Sequence, residues 1–145
     1  MSELARISYP DAKLRRILST TRTIALVGAS PNRSRPSHGV MHYLQGRGYR
    51  VVPVNPGIAG QDLLGERVYA SLRDIPDRID MVDIFRASDA VGPIIDDAIA
   101  INASVAWMQL GVRNDAAAAK AEAAGLEVIM ERCPEIELER LGPLT

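Results

Sequence analysis

Short β-branched apolar runs alternate with stretches of helical periodicity along this chain, and that alternation leaves few architectures open. The run TIALV (23–27) stops at Gly28. A polar loop follows, then a stretch with Val40, Met41 and Leu44 at helical offsets, closed by Gly48. RVVPV (50–54), MVDIF (81–85), SVAWM (104–108) and LEVIM (126–130) come next, separated by turns or helical patterns. Runs this short and this apolar read as strands of a parallel sheet, covered on its faces by the helices between them.

The helices are marked by their ends. Pro10 precedes a stripe of Leu14, Ile17 and Leu18, which predicts a helix over about Asp11–Ser19. Ser37 is the expected cap of the helix that runs to about Arg47. Val91, Ile94, Ile95, Ala98 and Ile99 form a third stripe, so the helix starts between Val91 and Pro93, the latter if Gly92 and Pro93 delay it. Asn114 caps a helix through Ala124 that Gly125 ends, and Glu135–Leu141 closes the chain. Pro53 conflicts with a fully paired strand because it has no N–H. The conflict disappears if its nitrogen faces a short neighbour, and a brief strand is expected near Arg67–Tyr69. The order predicts a Rossmann-like, doubly wound α/β fold. It has a mostly parallel sheet of five or six strands and helices on both faces, in one domain over residues 1–145. Residues 1–20 form its N-terminal helical extension.

With 145 residues, 47% hydrophobic and 24% charged, the chain suits one globular domain. No apolar run approaches the roughly 18–20 residues of a membrane span, and the first residues lack the apolar core of a signal peptide. A cytoplasmic, non-membrane protein is expected. The single cysteine, Cys133, excludes an intrachain disulfide framework and a multi-cysteine zinc site. His38 and His42 lie four apart without an obvious third ligand, so they read as helix surface rather than a metal pair. Six aromatic residues and scattered arginines argue against a nucleic-acid surface.

The net charge of −1 conceals a split. Residues 1–72 carry ten basic and four acidic residues, a net of +6; residues 73–145 carry seven and fourteen, a net of −7. Either the halves neutralise each other across one fold, or the first half binds an anion.

In such a sheet the ligand crevice lies at the carboxyl ends of the strands, where the strand order reverses. That rule selects the loops Gly28–Ser37, Asn55–Gly57, Phe85–Ser88 and Gln109–Asn114. Gly28 permits a tight turn and close approach by a phosphate, while Ala29 and Ser30 offer backbone N–H groups. Arg33, Arg35, Pro36 and Ser37 add two charges, a helix start and a hydroxyl. The alternative is an ordinary turn with solvated arginines, but the combined features favour a phosphate cradle. Asn55, with Pro56, either contacts a base or ribose or braces the Pro-Gly turn. Phe85 either flanks a ring or packs in the core, and Arg86 is a charge that needs a partner. Gln109, Gly111 and Val112 offer an amide and a close backbone to neutral polar groups.

Other chemistries lack their residues. No G-x-G-x-x-G fingerprint follows the first strand, and Asn55 stands where a dinucleotide site carries an acid for the ribose. No Ser-His-acid arrangement can be assigned. Asp83 is a lone acid, Trp107 a packing residue, and Cys133 an inert buried thiol by default.

Taken together, GAS (28–30), RPS (35–37), PVNP (53–56), VDIFR (82–86), WMQLG (107–111) and the late Cys133 make a specific combination. The sequence resembles the stand-alone CoA-binding domain proteins, the YccU-like family, over about residues 20–135. That resemblance implies kinship with the CoA-binding domain of succinyl-CoA synthetase α subunits and of ADP-forming acyl-CoA synthetases. It implies coenzyme A or acyl-CoA as ligand. Gly28, Ser30, Arg33, Arg35, Pro36 and Ser37 match the phosphate loop, Asn55 and Pro56 the second-strand edge, and Phe85, Arg86, Gln109, Gly111 and Val112 the remaining crevice. The larger relatives add a phosphorylated histidine and an ATP-grasp module, so their ligase reaction does not carry over. A non-catalytic CoA-binding module is expected. The alternatives are a detached synthetase or transferase subunit needing a partner protein, and a CoA or redox sensor using Cys133. A homo-oligomer is compatible with each.

Overall fold

In the computed structural model, which describes residues 7–144, five of the apolar runs lie side by side as one all-parallel sheet. In chain order the elements are α1 (Asp11–Thr20), β1 (Thr23–Val27), α2 (Pro36–Gly46) and β2 (Arg50–Val54). A small antiparallel hairpin follows, β3 (Asp62–Leu63) and β4 (Glu66–Arg67). Then come β5 (Met81–Ile84), α3 (Val91–Ala100), β6 (Val105–Met108), α4 (Asp115–Ala123), β7 (Glu127–Ile129) and α5 (Pro134–Leu141). The strand order β2-β1-β5-β6-β7 places β1 and β5 at the centre. From β1 the chain moves outward to β2, then returns to β5 on the other side. The order therefore reverses at the β1–β5 boundary, as in a Rossmann-like fold.

Alternating side chains feed two cores. Ala25, Val27, Val82, Ile84, Ala106 and Met108 meet Ile95 and Ala98 of α3 and Ala118 and Ala121 of α4. Ile24, Leu26, Met81 and Trp107 meet Leu14 and Ile17 of α1, Met41 of α2 and Leu138 of α5. Leu14, Ile17, Leu26 and Met41 are at most 1% exposed, and each such side chain stabilises the fold by about 1.5–3 kcal/mol. Arg15 of α1 donates to the carbonyls of Leu141 and Pro143 at 2.8 and 2.9 Å, tying α1 to the end of α5. The first six residues of the expected N-terminal extension lie outside the described residues. No helix among the described residues is long and apolar enough to cross a membrane.

The edge position of β2 resolves the Pro53 conflict. Pro53 pairs with Leu26 on one side. On the other, Tyr69 N–H donates to Pro53 O at 3.0 Å and Asn55 N–H to Tyr69 O at 2.9 Å. Because N and O of one strand residue point the same way, the Pro53 nitrogen faces this brief neighbour and no sheet bond is lost. The neighbour is shorter than the expected third strand. Tyr69 forms one isolated parallel bridge to Val54, and residues 62–67 turn back as the β3–β4 hairpin.

One helix start differs from expectation, and that of α3 falls at the early end of the expected range. Ser37 does not cap α2: Arg35 occupies the cap position, Pro36 is the first helical residue, and Ser37 is buried one turn position later. Proline needs no N–H partner there and its fixed φ suits the helix start, so it displaces the serine from that role. Helix α3 begins at Val91, with Gly92 and Pro93 inside its first turn. Asn114 caps α4 as expected, accepting from Ala117 N–H at 3.0 Å.

Part of the charge split is neutralised across the fold. Arg16 donates to Glu127, Arg50 to Asp77, and Arg47 lies 3.8 Å from Glu139. Basic side chains of the first half thus meet acids of the second.

Candidate functional site

A cleft of about 360 Å³ opens at the carboxyl ends of β1, β2 and β5. Its walls are Val27, Gly28, Ala29, Ser30, Arg35, Pro36, Ser37, Val54, Asn55, Pro56, Phe85 and Arg86. Ten of the expected site residues meet here: Gly28, Ala29, Ser30, Arg35, Pro36, Ser37, Asn55, Pro56, Phe85 and Arg86. Val27 and Val54 were readable only as strand interior; they join the cleft because each ends its strand at the switch point.

Gly28 turns the chain with φ +93°, a conformation that side-chain-bearing residues rarely adopt. The space a Cβ would fill is taken by the Phe85 carbonyl, so the glycine is required by the neighbouring strand. Gly28 and Ala29 N–H both donate to Val54 O, at 3.0 and 3.3 Å. These N–H groups therefore hold β1 to β2, which corrects the expectation that Ala29 offers its own to a phosphate. The Ser30 and Ser37 N–H groups do remain without partners among the described residues. Ser37 lies in the first turn of the eleven-residue α2, where the helix dipole is positive.

Asn55 braces the site. Its Nδ2 donates to Ala29 O at 2.8 Å, and its Oδ1 accepts from Gly57 N–H at 2.8 Å. One side chain thereby ties the β1 loop to the Pro56–Gly57 turn. Asn32 does similar work within the loop, its Oδ1 accepting from Ser34 N–H and Oγ.

The electrostatics of the cleft are one-sided. No carboxylate is among its walls, while Arg35 and Arg86 are. Most described arginine side chains engage an acid, a carbonyl or an aromatic ring. Four do not: Arg22, Arg33, Arg35 and Arg86. Two of those four line the cleft and a third, Arg33, sits two residues from Arg35. Unpaired guanidinium groups beside free N–H donors are chemically suited to a phosphate-bearing anion.

The remaining expected residues lie elsewhere. Arg33 is exposed in the loop outside the cleft walls. Gln109 is buried, Gly111 is an exposed turn glycine with φ +79°, and Val112 belongs to the core against α3 and α4. The loop after β6 folds back on itself, with Val112 N–H donating to Gln109 O at 2.9 Å and Glu131 N–H to Val112 O at 3.2 Å. That withdraws Val112 from the crevice.

A smaller cavity of about 150 Å³ adjoins the cleft through Val27, Val54, Pro56 and Arg86. Ala70, Ser71, Leu72, Ile94 and Asp97 complete it. Sequence reasoning missed these residues because Ser71 and Leu72 belong to the irregular connection between β2 and β5. There SLRDIP (71–76) reads as a short helical turn, which Leu72–Asp74 form, but a turn carries no sign of a cavity wall.

The chain matches the model of the CoA binding domain family over residues 22–139. It belongs to this family. Relatives of the same length class agree. YneT of Bacillus subtilis is 34% identical over 125 residues, covering 86% of this chain and 91% of YneT. A solved protein of Pyrococcus horikoshii OT3 is 41% identical with a TM-score of 0.90, covering 97% of this chain and 99% of that one. A dinucleotide-forming acetyl-coenzyme A synthetase of Ca. Korarchaeum cryptofilum, in complex with phosphate and ADP, is 25% identical. Its TM-score is 0.68, and the match covers 85% of this chain but 30% of the synthetase.

Two groups in this CoA binding domain stand apart from the cleft walls. Cys133 is buried at the start of α5. Asp83 is fully buried in central strand β5, between Leu26 and Trp107. Burial raises its carboxyl well above the usual range, and the nearby Ile84 N–H, which does not reach hydrogen-bonding geometry, offsets only part of the rise.

Proposed function

We propose that this protein binds coenzyme A or acyl-CoA in the cleft at the β1–β5 switch point, as a binding module without a reaction of its own. The observation that carries this reading is the pair Arg35 and Arg86, unpartnered beside the free N–H groups of Ser30 and Ser37. The phosphates of CoA supply the missing counter-charge. Its 3′-phosphate, a monoester, alone carries about −1.5 to −2 near neutral pH. Membership of the CoA binding domain family supports the same ligand. Asn55 in place of an acid after β2 leaves no carboxylate for the ribose hydroxyls of NAD.

Calorimetric titration with CoA, acetyl-CoA and NAD tests the reading. Binding of CoA or acetyl-CoA well below about 1 mM, with NAD weaker, is expected. NAD binding tightly while neither CoA species binds would overturn it.

A further inference from the structure

Two side chains bury polar atoms that the rest of the protein does not satisfy. Both carboxyl oxygens of Asp83 and the amide oxygen of Gln109 are shielded from solvent without a hydrogen-bond partner among the described residues. Asp83 is 0% exposed and Gln109 5%. Such atoms carry a desolvation penalty, and native structures keep very few of them.

The sheet register brings the two together next to the cleft. Asp83 of β5 lies opposite Trp107 of β6, and Gln109 is two residues beyond Trp107 on the same face. Gln109 N–H donates to Ile84 O at 3.2 Å, which continues the ladder past the end of the strand. The next position in that register sets Gln109 beside Phe85. Phe85 itself shares a face with Asp83 and lines the cleft. With strands about 4.8 Å apart and about 3.3 Å per residue, the Asp83 and Gln109 backbones are about 8 Å apart on the diagonal. Neither residue lines the open cleft, so a ligand group reaches the pair only after Phe85, which stands between them and the cleft, moves aside.

Their chemistry is complementary. A buried carboxyl with no cation beside it stays uncharged and is a hydrogen-bond donor, whereas the Gln109 amide oxygen is an acceptor. A donor and an acceptor on opposite sides match the C=O and N–H of a secondary amide.

We infer that Asp83 and Gln109 form the inner end of the binding site and take a secondary amide of the pantetheine arm of CoA. This rests on the CoA reading of the cleft. Phe85, only half-buried between the cleft and Asp83, is the side chain that gives way as the arm enters. The phosphates stay with Arg35, Arg86 and the α2 start, and the arm passes over the ends of β5 and β6.

The test is calorimetry with CoA and with adenosine 3′,5′-bisphosphate, which lacks the arm, on wild type, Asp83→Leu and Gln109→Leu. Each variant is expected to lose CoA affinity by about tenfold or more, as for one buried hydrogen bond, and to keep its bisphosphate affinity. Ligand-free Asp83→Leu is also expected to melt above wild type, because an unsatisfied buried group has been removed. CoA affinity unchanged in both variants overturns the inference, as it would if the two residues merely held a buried water. Equal loss of CoA and bisphosphate overturns it too. If wild type binds the bisphosphate as tightly as CoA, the arm makes no contact and this inference falls while the phosphate site stands. If it binds neither, both readings fall. Should Asp83→Leu not fold, Gln109→Leu decides alone.

Discussion

Gly28 and Phe85 meet backbone to backbone: a Cβ on Gly28 would fall inside the contact shell of the Phe85 carbonyl oxygen and lie 3.1 Å from Phe85 Cβ. Phe85 N–H donates to Val27 O at 2.8 Å, so the last rung between the two central strands fixes this approach. The glycine therefore serves the sheet before it serves a ligand. Gly28→Ala adds both a clash with backbone and a left-handed φ that alanine resists. A loss of roughly 2–4 kcal/mol in urea unfolding is expected. A loss below about 0.5 kcal/mol would show that the two strand ends separate freely.

Asn55 makes the corresponding link on the other side of β1. Asn55→Ala removes both the bond to Ala29 O and the bond from Gly57 N–H. A stability loss of about 1–2 kcal/mol is expected, together with weaker CoA binding, because the β1 loop and the Pro56 turn are no longer held in register. Unfolding and titration of the same preparation measure both. Unchanged CoA affinity in a destabilised variant would confine Asn55 to a folding role.

Asp83 gives stability a pH dependence of unusual sign for a carboxylate. Its folded carboxyl titrates well above its unfolded value, because burial disfavours the charge. Between those two values the folded state binds more protons than the unfolded one, so stability falls as pH rises. Its stabilising share is complete below the unfolded value of about 3.9 and is lost as pH climbs through the folded value. Asp83→Asn removes this titration. Melting curves from about pH 4 upward are expected to show the variant gaining on wild type as pH rises. A gap that stays constant with pH would mean that Asp83 is not buried as a neutral acid.

The fold was legible because its signal is local and repeated. Each strand run ends at a turn residue, and each helix declares its apolar stripe. In the connection from Asn55 to Asp80 the brief neighbour of β2 near Tyr69 was legible from Pro53, but the β3–β4 hairpin was not, since its two-residue strands carry no period of their own. The loop after β1 could be recognised from its glycine and arginines. Which of its N–H groups were free could not, because Val54 O, which takes those of Gly28 and Ala29, is contributed by another strand. Gln109 and Asp83 illustrate the same limit. Asp83 read as a lone acid and Gln109 as a crevice residue; only the β5–β6 register set the two on one diagonal.

The arginines separate by position, and that ordering can be measured. Arg35 and Arg86 line the cleft, Arg33 lies outside its walls, and Arg22 stands at the opposite end of β1. Charge-assisted bonds to a phosphate contribute about 1.5–3 kcal/mol, so Arg35→Glu and Arg86→Glu are each expected to weaken CoA binding by roughly 10- to 100-fold. Arg33→Glu acts only through screened space, and a loss below about threefold is expected at physiological salt. Arg22→Glu is the control and should change nothing. Repeating the Arg35→Glu titration with dephospho-CoA then locates the 3′-phosphate. A smaller loss than with CoA places that phosphate at Arg35, and an equal loss assigns Arg35 to the pyrophosphate. Equal effects at all four positions would mean that the cleft attracts its ligand by overall charge alone.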